Sequence, residues 1–184
     1  MVQIGFKNDR GIKRANNEDA CFVIPSENIY IIADGVGGNN AGEIASRTAV
    51  AMMAGYVRDN PVPDGDAEED VRRYFTECIY RINKEIYSIS RNSEDNKGMA
   101  TTIVAVYIDG GSAYIVNVGD SRAYLLREGA MHQITEDHTY VNELLKSGAI
   151  TEEEVKHHPN KNIITRAIGG DVIVEPDIFR IGIK

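Results

Sequence analysis

Thr101-Thr-Ile-Val-Ala-Val-Tyr-Ile108, Ser112-Ala-Tyr-Ile-Val-Asn-Val118 and Ser121-Arg-Ala-Tyr-Leu-Leu126 stand almost end to end in the chain. Each run is short, rich in β-branched and aromatic residues, and reads as a strand. Asp109-Gly-Gly111 and Glu128-Gly-Ala130 are turns, and 131–134 is a fourth short strand. Strands that succeed one another, instead of alternating with helices, favour an α+β fold with antiparallel sheets over a doubly wound parallel one.

Towards the N-terminus, Val2-Gln-Ile-Gly-Phe6 alternates in the manner of a strand, and 7–17 is polar and turn-rich. Residues 21–24 and 29–33, joined by Pro25-Ser-Glu-Asn28, predict a β-hairpin. Residues 29–33 are apolar throughout, which predicts a strand covered on both faces with Asp34 at the mouth of a packed sheet. Ile44, Thr48, Met52 and Tyr56, with Ala45, Ala49 and Met53 alongside, predict the buried face of a helix. An acidic, Pro-containing loop over 59–70 leads to Val71, Phe75, Cys78, Ile82, Ile86 and Ile89 at helical spacing. Residues 91–98 form a polar loop. Two short helices are expected over 137–148 and 151–156, the second with Thr151 as N-cap and Glu154 three residues on. Residues 172–183 return to strand.

With 184 residues, 42% hydrophobic and 26% charged, the chain reads as one globular domain over 1–184. A net charge of −8 argues against nucleic acid or an anionic membrane as the main partner, since both call for a basic face. Cys21 and Cys78 match no metal-binding spacing and fit a reduced, cytoplasmic setting. The first residues carry no basic region followed by an apolar stretch, and no apolar run approaches the roughly 20 residues of a membrane helix.

Asp19, Asp34 and Asp120 each sit beside a turn made of small residues, and the last two follow strand-like runs. Carboxylates at strand ends, with glycine letting the backbone come close, suit a hard cation such as Mg²⁺ or Mn²⁺. Each stretch alone also has a plain structural reading. Asp34-Gly-Val-Gly-Gly38 could cap the next helix, Arg14 with Glu18 and Asp19 could be a solvated loop, and Gly119-Asp120-Ser-Arg122 a hairpin turn. Nucleotide binding at Gly35-Val-Gly-Gly38 fits poorly, because a third glycine at the dinucleotide spacing and a Gly-Lys-Ser/Thr are missing.

Six motifs occur in a fixed order: Arg-Ala-Asn-Asn-Glu-Asp at 14–19, Ala-Asp-Gly-Val-Gly-Gly at 33–38, Gly-Met-Ala-Thr-Thr at 98–102, Gly-Asp-Ser-Arg at 119–122, Glu-Asp-His at 136–138 and Arg-Ala-Ile-Gly-Gly at 166–170. Over nearly its whole length the chain resembles the PP2C-type (PPM) metal-dependent serine/threonine protein phosphatases. Asn39-Asn-Ala-Gly-Glu-Ile-Ala-Ser46 is similar to their bacterial branch. The resemblance implies a four-layer α-β-β-α sandwich of two antiparallel sheets flanked by helices. It also implies hydrolysis of phosphoserine or phosphothreonine, in protein substrates of a Ser/Thr kinase, by metal-activated water. Asp34 would bridge two Mn²⁺ or Mg²⁺ ions, with the Gly35 carbonyl on one of them. Asp19, with Glu18 beside it, would hold metal-bound waters, and Asp120 would help bind a third, weaker ion. Arg14 would grip the phosphate with its planar fork. Residues 137–165 resemble the flap beside the site, including His157 and His158.

Two departures stand out. Many family members carry histidine where this chain has Val36. The family pattern also continues beyond the sixth motif with Ser-Asp-Gly and Asp-Asn motifs that 171–184 do not contain. On that count the sequence predicts a domain incomplete at its C-terminal side, weak Mn²⁺ binding, and poor or absent turnover. It further predicts an exposed sheet edge open to self-association. The rival reading is a catalytically inactive, phosphatase-like interaction or regulatory domain.

Overall fold

The antiparallel pairing anticipated from the strand succession runs through the computed structural model, which describes residues 2–14, 16–38, 41–63 and 67–183. Strands β1 (Asp19–Ile24), β2 (Ile29–Val36), β3 (Ala100–Thr101), β4 (Ile103–Asp109), β5 (Ser112–Val118) and β8 (Asp177–Gly182) form one sheet in the order β1-β2-β4-β5-β8, with β3 pairing β2. Strands β6 (Tyr124–Arg127) and β7 (Ala130–Gln133) form a second, two-stranded sheet. All these pairs are antiparallel. The helices are α1 (Ala41–Asp59), α2 (Glu68–Asn92), α3 (Tyr140–Lys146) and α4 (Glu152–His157). The chain is therefore α+β, with two antiparallel sheets plus helices, as expected. No described helix is long and apolar enough to cross a membrane.

Several boundaries differ from the sequence reading. Residues 2–10 form no strand, and Phe6 is 75% exposed. Alternation alone cannot make a strand without a partner to take its backbone hydrogen bonds. The run from Thr101 breaks at Thr102, whose amide donates to the Asp34 carbonyl at 2.9 Å. The expected strand from Ser121 begins only at Tyr124, and that over 172–183 only at Asp177. Thr151 caps α4 with Glu154 in a full capping box. Asn39, Asn40, Ala15 within the first motif and residues 64–66 of the acidic loop lie outside the described residues.

Helices α1 and α2 share one hydrophobic core with the sheet. Ile29, Ile31, Ala33, Met53, Phe75, Ile82 and Ile103 are all buried in it. Complete burial of a side chain such as Ile82 stabilises by about 1.5–3 kcal/mol. The buried face of α1 matches the prediction at Ala45, Ala49 and Met53, which face inward with Ala41, but not at Ile44, which is 42% exposed. Small residues win because α1 crosses the end of β2 backbone to backbone. A Cβ on Gly35 would lie 1.9 Å from the Gly42 carbonyl oxygen. Nor is β2 covered on both faces among the described residues, since Ile32 is 46% exposed while its neighbours Ile31 and Ala33 are buried. Among the described residues, the far face is closed towards β5 and β8, where Val104, Ala113 and Ile115 pack with Ala123 and Ile134.

Candidate metal centre

Asp19 and Asp34 are cross-strand partners in the β1–β2 register. Their neighbours Ala20 and Ala33 point into the core, so alternation sends both carboxylates to the opposite face of the sheet. Like charges directly opposite are destabilising, and Asp34 registers this strain. Its pKa is pushed from 3.8 to about 6, first by burial, then by the charges of Asp19 and Asp120 and a hydrogen bond with the Asp19 carboxyl, against a lowering by Arg14. Asp120 is raised as well, by burial first and then by Asp137, partly offset by its own backbone bond and Arg122. Asp19 and Asp34 thus face each other across the strand pair, and the charges of Asp120 and Arg14 reach Asp34. Asp19 and Asp34 line a cleft of about 560 Å³ together with Lys7, Asp9, Cys21 and Ser121.

The backbone of Asp34 is held on both sides by a pair of threonines. Thr101 Oγ1 donates to the Asp34 carbonyl at 3.0 Å, and the Asp34 amide donates to Thr102 Oγ1 at 3.0 Å. Thr102 Oγ1 also meets Ser121 Oγ at 2.7 Å, tying Asp34 to the turn that carries Asp120. That turn depends on Gly119, which sits at φ 107° with the Thr102 side chain where a Cβ would go. The Gly35 amide donates to the Glu18 carbonyl at 3.1 Å, and buried Ser46 donates to the same oxygen at 2.6 Å. The Glu18 carboxylate pairs with Arg14 at 3.4 Å. Sequence reasoning assigned no role to Thr102, Ser121 or Ser46. Thr102 and Ser121 lie inside quoted motifs, but nothing in those motifs says that a hydroxyl there serves the Asp34 backbone.

The two flap histidines are not brought to the carboxylates. His157 is exposed beside Glu153 at 3.6 Å, His158 accepts from the Asn160 amide at 3.1 Å, and neither lines the cleft. The segment holding α3 and α4 leaves and rejoins the body at a bridge between Thr139 and Ile164. Between this segment and Asp120 lies a second cleft of about 690 Å³, bordered by Arg122, Asp137, Lys146 and Lys156.

The donor set consists of hard oxygen atoms, and the mutual repulsion at Asp34 is the charge imbalance that a divalent cation relieves. Among the described residues, no three His, Cys, Asp or Glu side chains stand close enough together to hold one ion. The Asp19–Asp34 pair fits Mg²⁺ or Mn²⁺ only with backbone carbonyl and water oxygens completing the shell, which is common for these ions.

The model of the family described as Protein phosphatase 2C matches residues 11–174. The serine/threonine phosphatase stp of Listeria innocua is 40% identical over 177 residues, spanning 95% of this chain and 69% of that protein. A putative protein phosphatase 2C-type of Streptococcus pyogenes is 41% identical, spanning 96% of this chain and 72% of that one. The solved serine/threonine phosphatase of S. agalactiae matches with a TM-score of 0.89 at 39% identity, covering 97% of this chain and 73% of its own. The catalytic domain of the phosphatase PstP, in complex with 2 manganese ions, matches at 0.79 and 35% identity, covering 97% of this chain and 71% of its own. With a family model spanning most of its length and relatives of this identity, the chain belongs to the protein phosphatase 2C family.

Proposed function

We propose that this chain is a metal-dependent protein serine/threonine phosphatase acting on proteins phosphorylated by a Ser/Thr kinase. The observation that carries the reading is the pair Asp19 and Asp34, facing each other across the β1–β2 register on one cleft, with the charge of Asp120 near enough to raise the pKa of Asp34. Two Mn²⁺ or Mg²⁺ ions, with a third held more weakly at Asp120, supply charge neutralisation and a water reactive near neutral pH when bound. Asp34 and the Gly35 carbonyl would hold the pair, and Asp19 with Glu18 would orient solvent around it. Arg14, whose side chain is largely exposed and paired only loosely with Glu18, takes the phosphate through its fork. Residues 137–165 act as a flap over the second cleft, where the substrate chain passes.

A protein nucleophile is not part of this reading. Cys78 is buried, and burial pushes its thiol up to about 12, far from a thiolate at neutral pH. The free Cys21 and Cys78 support a reducing, cytoplasmic setting. Strands β1 and β8 end the sheet order, and either edge could carry self-association.

Hydrolysis of p-nitrophenyl phosphate and of a phosphothreonine peptide with Mn²⁺ tests the proposal on purified protein. Turnover that requires Mn²⁺ and disappears in Asp34→Asn is the expected result; turnover unaffected by chelator refutes it. The second reading, a phosphatase-like binding domain without turnover, is favoured by the lack of three side-chain ligands standing together among the described residues. Near-zero Mn²⁺ by elemental analysis, with phosphopeptide binding intact, would select it.

A further inference from the structure

We infer that His138 is a positioning residue that sets the direction of Asp120; the inference rests on the reading of Asp120 as a metal ligand. His138 is 7% exposed, and its polar atoms are all engaged. Its amide donates to the Gly119 carbonyl at 3.1 Å, and its carbonyl accepts from the Thr165 amide at 2.9 Å. The Gly119 amide donates to its Nδ1 at 2.9 Å, and its Nε2 lies 3.0 Å from Asp177 Oδ2.

These contacts dictate the tautomer. A backbone N–H can only donate, so Nδ1 is the acceptor and carries no proton. The neutral ring then holds its proton on Nε2 and donates it to Asp177. Arg166 Nη1, 3.1 Å from the same Nε2, is itself a donor and cannot bond there. It bonds Asp177 Oδ1 at 2.8 Å and the Glu175 carbonyl at 3.2 Å, and so fixes the acceptor of the histidine.

One residue therefore takes both backbone polar groups of Gly119, the residue immediately before Asp120. Gly119 is at φ 107°, a conformation open to glycine and strained for any residue with a Cβ. Thr102 limits the turn from one side, its Cγ2 2.5 Å from where a Cβ would stand, and His138 clamps it from the other. His138 is in turn anchored through Asp177 to β8, and through Thr165 to the base of the 137–165 segment. Histidine suits the position because an acceptor and a donor must face opposite ways across one rigid ring. Asparagine can offer Oδ1 near the place of Nδ1, while glutamine reaches only the place of Nε2.

That difference supplies the test. Mn²⁺ binding to the wild type, Asp120→Asn, His138→Gln, His138→Asn and the Asp120→Asn/His138→Gln double variant is followed by calorimetry, with thermal melts confirming the fold. Loss of a group that orients a ligand commonly costs 10–100-fold in metal affinity, so His138→Gln should weaken the weakest Mn²⁺ class by about tenfold, towards Asp120→Asn. The double variant should match Asp120→Asn alone, and His138→Asn should bind like the wild type. Gly119 amide hydrogen exchange, free of any metal, should accelerate in His138→Gln and not in His138→Asn. Losses that add in the double variant, unchanged exchange, or a wild-type ring shown by ¹⁵N–¹H NMR to be protonated on Nδ1 would each overturn the positioning role. Wild-type Mn²⁺ binding by Asp120→Asn would overturn Asp120 as a metal ligand instead, while the exchange result still reports on the clamp.

Discussion

Replacing Asp34 with asparagine is expected to stabilise the metal-free protein while abolishing its chemistry. The folded protein raises the Asp34 pKa from 3.8 to about 6, mainly by burial and then by Asp19 and Asp120. An acid whose pKa rises on folding binds its proton more tightly in the native state. Its ionised form thus opposes folding once the pH exceeds the unfolded value, and the penalty is complete above the folded one. A rise of roughly two pKa units corresponds to about 3 kcal/mol at 1.36 kcal/mol per unit. Asp34 still meets solvent, and screening brings the realistic figure to on the order of 1–2 kcal/mol. Urea unfolding in EDTA at several pH values reads this directly. The advantage of Asp34→Asn over the wild type should be near zero at pH 4, grow through pH 5, and level off above about pH 6. Mn²⁺ at saturating concentration should reverse the order, because only the wild type gains from binding. A variant no more stable than the wild type at pH 8 in EDTA, or equally favoured at pH 4 and pH 8, would refute the account of an Asp34 carboxylate held uncomfortably by burial and its acidic neighbours.

Gly119→Ala combines a φ of 107° with a Cβ 2.5 Å from Thr102 Cγ2; a loss of about 1–3 kcal/mol is expected, measured by urea unfolding. Thr102→Val keeps the shape but leaves the Asp34 amide and Ser121 without their partner. It should cost about 1–3 kcal/mol in the same assay and weaken Mn²⁺ binding. A thiol-reactive dye should label Cys21, which is partly exposed, in the native protein, and Cys78 only after denaturation. Two fast native thiols would contradict the packing of α2.

Much of the site was legible in the chain itself, because its information is local. Asp34 and Asp120 stand at the ends of strand-like runs beside glycine, and the strand succession 101–126 with its short turns forced antiparallel pairing. The helical spacing from Val71 to Ile86 was equally readable, since a wide apolar stripe is written in side-chain type. What local pattern could not say was which residues face each other. The outward turn of Ile44, predicted to face inward with Ala45 and Ala49, follows from the backbone contact of Gly35 with Gly42, two glycines seven positions apart. The uncovered face of β2 likewise depends on what packs against it, not on its own apolar residues. The distance of His157 and His158 from the carboxylates, and the clamp of His138 on Gly119, depend on where a long excursion rejoins the sheet. Residue types and spacing announced that acids would gather with glycine to let the backbone close. Only the tertiary structure decided which hydroxyls and which ring hold those acids in place, because such hydrogen bonds join groups separated by 19 to 68 positions and leave no trace in local sequence.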